Sequence, residues 1–351
     1  MESFPRYQND TIYFIMVKPE SFKSVEFEFQ VIKNYHFLTA FAKHFGTIVE
    51  GDKVHLPQWL GKGYIQHISL DGMALFIHNY KLNYDLVLRR QAIANTESIT
   101  LKFDRSKFLS KYSQQQHDPF FLELTGFEVE IGTCNFNTEL KMPAHKQINF
   151  LIIGTSRSYL TGLLNSESRA TISDLVKTQP SFVIYDVILP EMDHIIKEII
   201  RINGATELPM LLYKTRAQEL IYHLFKNLSK RPVIAPVNVK QEDAEKIYLV
   251  RLAILKNLNS CPLLPELANL SGLGLTKLQK LFAQIFGQSI HQYYQSMRMI
   301  QAASLLSSLS VSETAYKLGF TNLSHFTRVF EHHHQLKPKQ FKSRLLSESV
   351  S

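Results

Sequence analysis

The 351-residue sequence predicts an α+β chain: a β-rich N-terminal half, a helical middle segment and an all-α C-terminal domain. Three observations carry that prediction. Short β-branched and aromatic-rich runs punctuate the first half, the apolar period turns helical after Leu189, and one helix-turn-helix pattern is written twice between Glu266 and Phe341. The expected domains are 1–185 (β-rich), 186–228 (helical), 229–240 (linker) and 241–351 (double helix-turn-helix).

The strands come first in the chain. Val25–Ile32, Gly63–Leu70, Met73–Tyr80, Ser98–Phe103, Phe121–Leu124 and Gln147–Ile153 alternate or are rich in β-branched and aromatic residues, and Asp71-Gly72 between two of them is a two-residue hairpin signal. Several short strands imply a sandwich or a barrel, which can enclose a pocket. Among the histidines here, no two of His36, His44, His55, His67 and His78 have the close spacing a metal site would use. They read as satisfied or exposed side chains, with neither metal nor cofactor expected.

The middle segment carries two apolar stripes. Met192, Ile195, Ile196, Ile199 and Ile200 form one; Tyr213, Ala217, Leu220, Ile221, Leu224, Phe225 and Leu228 form the other. Such stripes are usually core, and two in succession also fit an antiparallel helix pair that packs against its copy in a second chain. Overlapping the start of the first, Pro180–Asp193 is similar to the phosphoacceptor strand of response-regulator receivers, with Asp186 at the phosphorylated position. The candidate first strand, Phe150–Arg157, lacks the acidic pair that would hold Mg²⁺, which argues against phosphorylation. The two prolines of Ser229–Val239 read as a semi-rigid tether.

In the C-terminal pattern Ala268 and Ala315 let two helices cross closely, Gly272 and Gly319 supply the turn, and Leu278/Phe282 and Phe326/Phe330 plug the core behind each second helix. Equivalent positions, Phe282 and Phe330, lie 48 residues apart. The stretch Ser289–Leu306 reads as one helix that holds the units at a fixed separation, suited to two major-groove entries about 34 Å apart. Sorting the faces leaves Thr276, Gln279 and Lys280 outward on the first reading helix, and Ser324, His325, Thr327 and Arg328 outward on the second. Arg and Lys can donate to guanine, Gln can pair with adenine, and Ser or Thr can serve several base edges. Residues 271–344 carry nine basic and two acidic side chains, an excess of seven out of the chain's +8. Lys277, Arg298, Lys337, Lys339 and Lys342 are the expected phosphate contacts. Ser310 and Glu313 form a capping box, and the run His332–His334 points in different directions on a helix, which does not make a zinc site.

The segment from about Arg251 to Leu346 resembles the AraC/XylS class of bacterial transcription regulators. It matches in the first-unit core, in the Arg298-centred connecting helix with Ala302 and Leu305, and in Leu318, Gly319, Phe320, Phe326, Phe330 and Pro338. Gly274, Thr314, Gln335 and Lys342 depart from the pattern, which bears on helix ends more than on the fold. The resemblance implies that the outward residues named above contact bases. It also implies that the first half is a cupin-like barrel sensing a small molecule, and that the chain dimerises through its helical segment. A looser likeness to the siderophore-responsive, pyochelin-regulator branch rests on Gly61, Gly63, Asp71, Asn79, Asp85 and Lys214 and favours an iron chelate or other small organic effector. The expected protein is an activator that binds double-stranded DNA and works with RNA polymerase, not an enzyme. Alternatives are a constitutive regulator controlled by its abundance, or a cupin-type enzyme fused to a DNA-binding domain.

Composition agrees with a globular chain. Apolar residues make up 45%, no apolar run approaches the roughly 20 residues that span a bilayer, and Thr11–Val17 is too short for a signal segment. Two cysteines, Cys134 and Cys261, fall in different expected domains, which points to a reducing cytoplasm, and the resemblance implies a bacterial one with the protein on the nucleoid.

Overall fold

Alternation in the first half builds strands whose two faces serve different ends. The computed structural model of the protein describes residues 24–30, 36–93, 97–106, 128–164, 181–231 and 239–348. In chain order its elements are β1 (Ser24–Gln30), α1 (Phe37–Phe45), β2 (Val49–Glu50), β3 (Lys53–His55), β4 (Gly61–Leu70), β5 (Met73–Leu82), β6 (Asp85–Gln91), β7 (Ser98–Asp104), β8 (Glu128–Thr133), β9 (Thr138–Met142), β10 (Gln147–Ser156), α2 (Arg157–Leu163), β11 (Val183–Val187), α3 (Pro190–Arg201) and α4 (Pro209–Leu228). Seven helices follow: α5 (Gln241–Lys256), α6 (Leu264–Ser271), α7 (Leu275–Phe286), α8 (Ile290–Leu305), α9 (Val311–Lys317), α10 (Leu323–His334) and α11 (Pro338–Glu348). The Thr11–Val17 and Phe121–Leu124 expectations, the end of Val25–Ile32 and the prolines of the linker lie outside the described residues.

Eight strands pair in the order β11-β8-β7-β10-β5-β4-β3-β2, and β1-β6-β9 form a second sheet in which β1 runs parallel to β6. Among the described residues no pairing closes either sheet into a ring. The β4–β5 turn is the expected hairpin, with Leu70 opposite Met73 and Gly72 at φ 75°. Tyr159 of α2 lies where a Cβ on Gly72 would stand, so this turn is fixed by packing as well as by backbone.

One face of the large sheet is apolar throughout. Leu75, Ile77, Ile99, Leu101, Phe103, Val129, Leu151 and Ile153 are buried there beneath Met192, Ile196 and Ile199 of α3 and Ala217, Leu220 and Leu224 of α4. The stripes that the sequence offers to a second copy are therefore spent inside one chain. Each buried Leu or Ile contributes about 1.5–3 kcal/mol, and baring the stripes for a partner would forfeit that. The large apolar side chains that α4 leaves exposed are Met210, Leu211 and Tyr222. At the other end of the sheet, Phe27, Phe41, Phe45, Leu60, Ile65, Tyr80 and Met142 join the two sheets and α1 in a second core.

The C-terminal helices dock on the sheet edge. Val183, Tyr185 and Val187 of β11 pack with the core of α5, α7 and α8, and Tyr185 stacks on Phe286 with ring centroids 5.5 Å apart. Buried Arg251 of α5 pairs with Glu128 of β8 and donates to the Tyr293 hydroxyl at 2.8 Å. Arg231 donates to the Tyr185 carbonyl and pairs with Asp186 at 3.3 Å. Asp186 also accepts from Asn227 at 2.9 Å. The receiver likeness ends here: Asp186 sits on an antiparallel edge strand with its carboxylate clamped, whereas doubly wound folds bind their ligands at the ends of parallel strands.

Candidate nucleic-acid interface and internal cavity

Each helix-turn-helix unit is set by its turn. Gly272 ends α6 at φ 63° and Gly319 follows α9 at φ 74°. A Cβ on Gly319 would lie 2.4 Å from the Asn259 carbonyl oxygen, so both the backbone angle and the close approach demand glycine. Behind the turns Leu278, Phe282, Phe326 and Phe330 are fully buried, as their spacing predicts. Helix α8 joins the units, opened by a Ser289/Gln292 capping box, and α9 opens with the Ser310/Glu313 box, whose hydrogen bonds hold the Glu313 carboxyl below its usual range. Asn322 caps α10 by accepting from the His325 amide at 3.0 Å. Gly274 begins α7 with no side-chain cap, and Gln335 ends α10 at φ 57°, so two of the departures from the family pattern fall at helix ends.

The outward residues point outward. Thr276, Gln279 and Lys280 on α7 are exposed, as are Ser324, His325 and Arg328 on α10; Thr327 is half-buried. Lys337 and Lys339, at the start of α11, are exposed too. The other expected phosphate contacts are engaged within the protein. Lys277 pairs with Asp243 of α5 at 2.8 Å, and Lys342 donates to the Leu309 carbonyl at 2.8 Å.

Arg298 needs a correction. It is 6% exposed, its Nη2 donates to the Leu318 carbonyl at 2.5 Å, its Nη1 to Gln295 Oε1 at 3.2 Å, and its guanidinium lies 3.8 Å from the Phe320 ring centroid. Burial pushes its pKa down, yet the group stays a cation because guanidinium is so basic. Its chemistry is to pin the turn of the second unit to the connecting helix, not to meet a phosphate. The triple histidine is likewise partly structural: His334 contacts the Met299 carbonyl at 2.9 Å and packs on Phe330 and Phe341.

The opposite face of the large sheet borders an open-mouthed cavity of about 840 Å³, flanked by the small sheet and by α5. The register explains its character. Across β5, β10, β7, β8 and β11 one row reads Phe76, Ile152, Lys102, Glu130, Tyr185, so the wall grades from apolar to charged. Lys102 pairs with Glu130 at 2.9 Å. Burial works against its ammonium, but Glu130, Asp104 and Glu128 outweigh that and hold its pKa above the usual value. Glu128, beside this pair, is pushed up by burial and held back by Arg251. His78 stacks on Phe150 at 4.0 Å, and burial takes its pKa down to about 3. The histidines of this half do not converge: among the described residues no three His, Cys, Asp or Glu groups are gathered for a metal. Sequence reading passed over Arg90, Lys102, Glu128 and Glu130; the charged half of each alternation was the available signal.

Two three-helix units hung on one connecting helix, each with a polar stripe on its second helix, define a double helix-turn-helix reader. A family model described as a helix-turn-helix domain matches residues 267–344. Over 71 residues the chain is 37% identical to an uncharacterized HTH-type transcriptional regulator of Pseudoalteromonas carrageenovora, covering 20% of this chain and 43% of that protein. Over 78 residues it is 31% identical to the probable transcription factor PqrA of Proteus vulgaris, covering 22% and 64%. A solved structure of a probable AraC family transcriptional regulator from Rhodopseudomonas palustris is 26% identical over 28% of this chain and 96% of its own, with a TM-score of 0.27. The chain spans less than two thirds of the length of these curated relatives. No helix among the described residues is long and apolar enough to cross a membrane.

Proposed function

We propose that the chain is a sequence-specific DNA-binding transcription regulator of the AraC/XylS type, controlled by a small organic molecule in the cavity. The observation that carries the reading is the matched exposure of Thr276 and Lys280 on α7 with Ser324 and Arg328 on α10, beside exposed Gln279 and half-buried Thr327, on units joined by a single helix. Helices α7 and α10 enter successive stretches of the major groove. Gln279, Lys280 and Arg328 read base edges, while Lys337 and Lys339 neutralise phosphates. The relatives named as regulators support this at the level of the domain.

Effector control is supported by the cavity wall, to which α5 contributes Gln241, Ala244, Glu245 and Tyr248. A molecule bound there touches sensor and reader at once. We read the regulator as an activator that contacts RNA polymerase, acting as a homodimer through the outer face of α4 where Met210, Leu211 and Tyr222 are exposed. The test is selection of bound sequences from random duplexes by the full chain, followed by footprinting. Protection of two stretches about one helical turn apart, with Gln279→Ala relaxing one and Arg328→Ala the other, is expected. Sequence-indifferent binding, or one stretch alone, overturns the reading.

A further inference from the structure

Several of the cavity's charges are paired, and three that line it, Arg90, Glu28 and Glu245, have no ion-pair partner among the described residues, the two carboxylates accepting only from Gln91 and Gln241. Lys102 has Glu130, Glu128 has Arg251, and Arg89 at the rim has Glu26 and Glu139. Arg90 has no carboxylate within ion-pair distance among the described residues, although its charge acts on Glu130 from further off. Its Nη1 meets Thr100 Oγ1 at 3.5 Å and Cys134 Sγ at 3.6 Å, its Nη2 meets the Phe136 carbonyl at 3.5 Å, and its Nε is buried without a partner. These lengths lie at the outer limit for hydrogen bonds, so a planar five-donor group stands nearly unsatisfied at the cavity wall.

The ground around Arg90 is shaped for a ligand of two parts. Thr100 is flanked in register by Gly132 and Gly154, and a Cβ on Gly154 would meet nothing nearer than the Ala74 carbonyl oxygen at 3.9 Å. That leaves room for a head group. Arg90 lies opposite Phe29 in the β1–β6 register, and from Phe29 an aromatic wall runs on, to Phe37 at 4.9 Å and from there to Phe76 at 5.9 Å between ring centroids. An anion at Arg90 displaces no carboxylate, and Glu28 and Glu245 already accept from Gln91 and Gln241.

We propose that the cavity takes an amphipathic organic anion, its carboxylate paired bidentately with Arg90 and its apolar body laid along Phe29, Phe37 and Phe76. The proposal rests on the reading of the cavity as the effector site and narrows the effector's chemistry. Arginine suits the task because its fork matches two carboxylate oxygens.

Isothermal titration of the full chain with 2-naphthoate, 2-naphthamide and 2-naphthylmethylammonium tests it. The acid binds at least tenfold more tightly than the other two, and Arg90→Gln removes that advantage while leaving the amide's affinity unchanged. Thr100→Asp, which gives the guanidinium a carboxylate from within, also cuts acid binding at least tenfold and raises the thermal midpoint, so the conclusion does not hang on one variant. Ile152→Trp, which fills the apolar wall, removes binding of all three. The proposal is overturned if the amide or ammonium binds as tightly as the acid, if acid affinity survives both head-group variants, or if none of the three binds. Equal binding of acid and amide that Ile152→Trp abolishes sinks the anion and keeps the cavity as a site. Acid binding through Arg90 with DNA affinity unchanged keeps the site and sinks effector control.

Discussion

Arg298 offers the sharpest separation between a residue that touches DNA and one that builds the reader. Replacing it with Met keeps the stem and removes the guanidinium. The Leu318 carbonyl then loses a charge-assisted hydrogen bond made at 2.5 Å, at a cost of about 2 kcal/mol for a buried polar group left unmet. Losing the cation from above Phe320, 3.8 Å away, adds about 1 kcal/mol. Against these, a buried Nε with no partner disappears, which returns about 1 kcal/mol. The net is a destabilisation of about 2 kcal/mol, read as a lower urea midpoint with an unchanged slope. Specific DNA affinity falls because α10 is no longer held in register with α7. The dependence of that affinity on salt stays as it was, since no phosphate contact has gone. Were Arg298 a phosphate ligand, stability would hold and the salt slope would fall by about 0.9. That pair of results would refute the structural assignment.

Other expectations follow from the same geometry. Arg328→Ala weakens binding to the preferred sequence by about 1–3 kcal/mol and relaxes preference at one position, whereas Lys339→Ala weakens all sequences evenly and lowers the salt slope by about 1, as competition binding at several salt concentrations reads. His78 stays neutral in the folded protein down to about pH 3, while the unfolded chain protonates it near 6.5. Its stabilising contribution is whole above pH 6.5 and drains as pH falls, by about 2 kcal/mol at pH 5. His78→Phe therefore shrinks the difference in unfolding free energy between pH 7 and pH 5 by about that amount. Thr314 is fully buried with its hydroxyl unpartnered, so Thr314→Val stabilises the second unit by about 1 kcal/mol in urea unfolding.

The reader was legible because its constraints are local and repeated. A glycine at the turn and aromatic residues one helical turn apart must recur in register, and Gly272, Gly319, Phe282 and Phe330 do. Exposed faces followed from the same periodicity. Arg298 was not legible, since a basic residue on a polar-looking helix reads alike whether it faces water or caps a neighbouring turn from within. Strands β6, β8 and β9 were passed over for a related reason. Their alternation sets apolar residues against charges such as Arg90, Glu128 and Glu130, which in most sheets would face solvent and here line a cavity. The parallel pairing of β1 with β6 joins segments 61 residues apart, and no local signal encodes it. The two helical stripes were read correctly as apolar faces, but their partner, the sheet across the chain, is a tertiary fact.

Under the proposed function, the side chains shared by cavity and helices are the route from a bound molecule to the DNA. Glu128 belongs to the cavity wall and to the Arg251 pair, and Tyr185 belongs to the wall and to the stack on Phe286, the last residue of the first reading helix. Cavity and reader thus share side chains, with no relay between them. A ligand shifts the docking of α5 and α7 only by preferring one of two arrangements, and couplings of that kind run to about 1–3 kcal/mol. One altered hydrogen bond at Arg251, whose Nη1 is already buried and unpartnered, is a change of that size. The buried Glu128–Arg251 pair is poorly suited to adding stability, because desolvating both ions cancels much of their attraction. It is well suited to being a contact whose strength depends on what lies beside it.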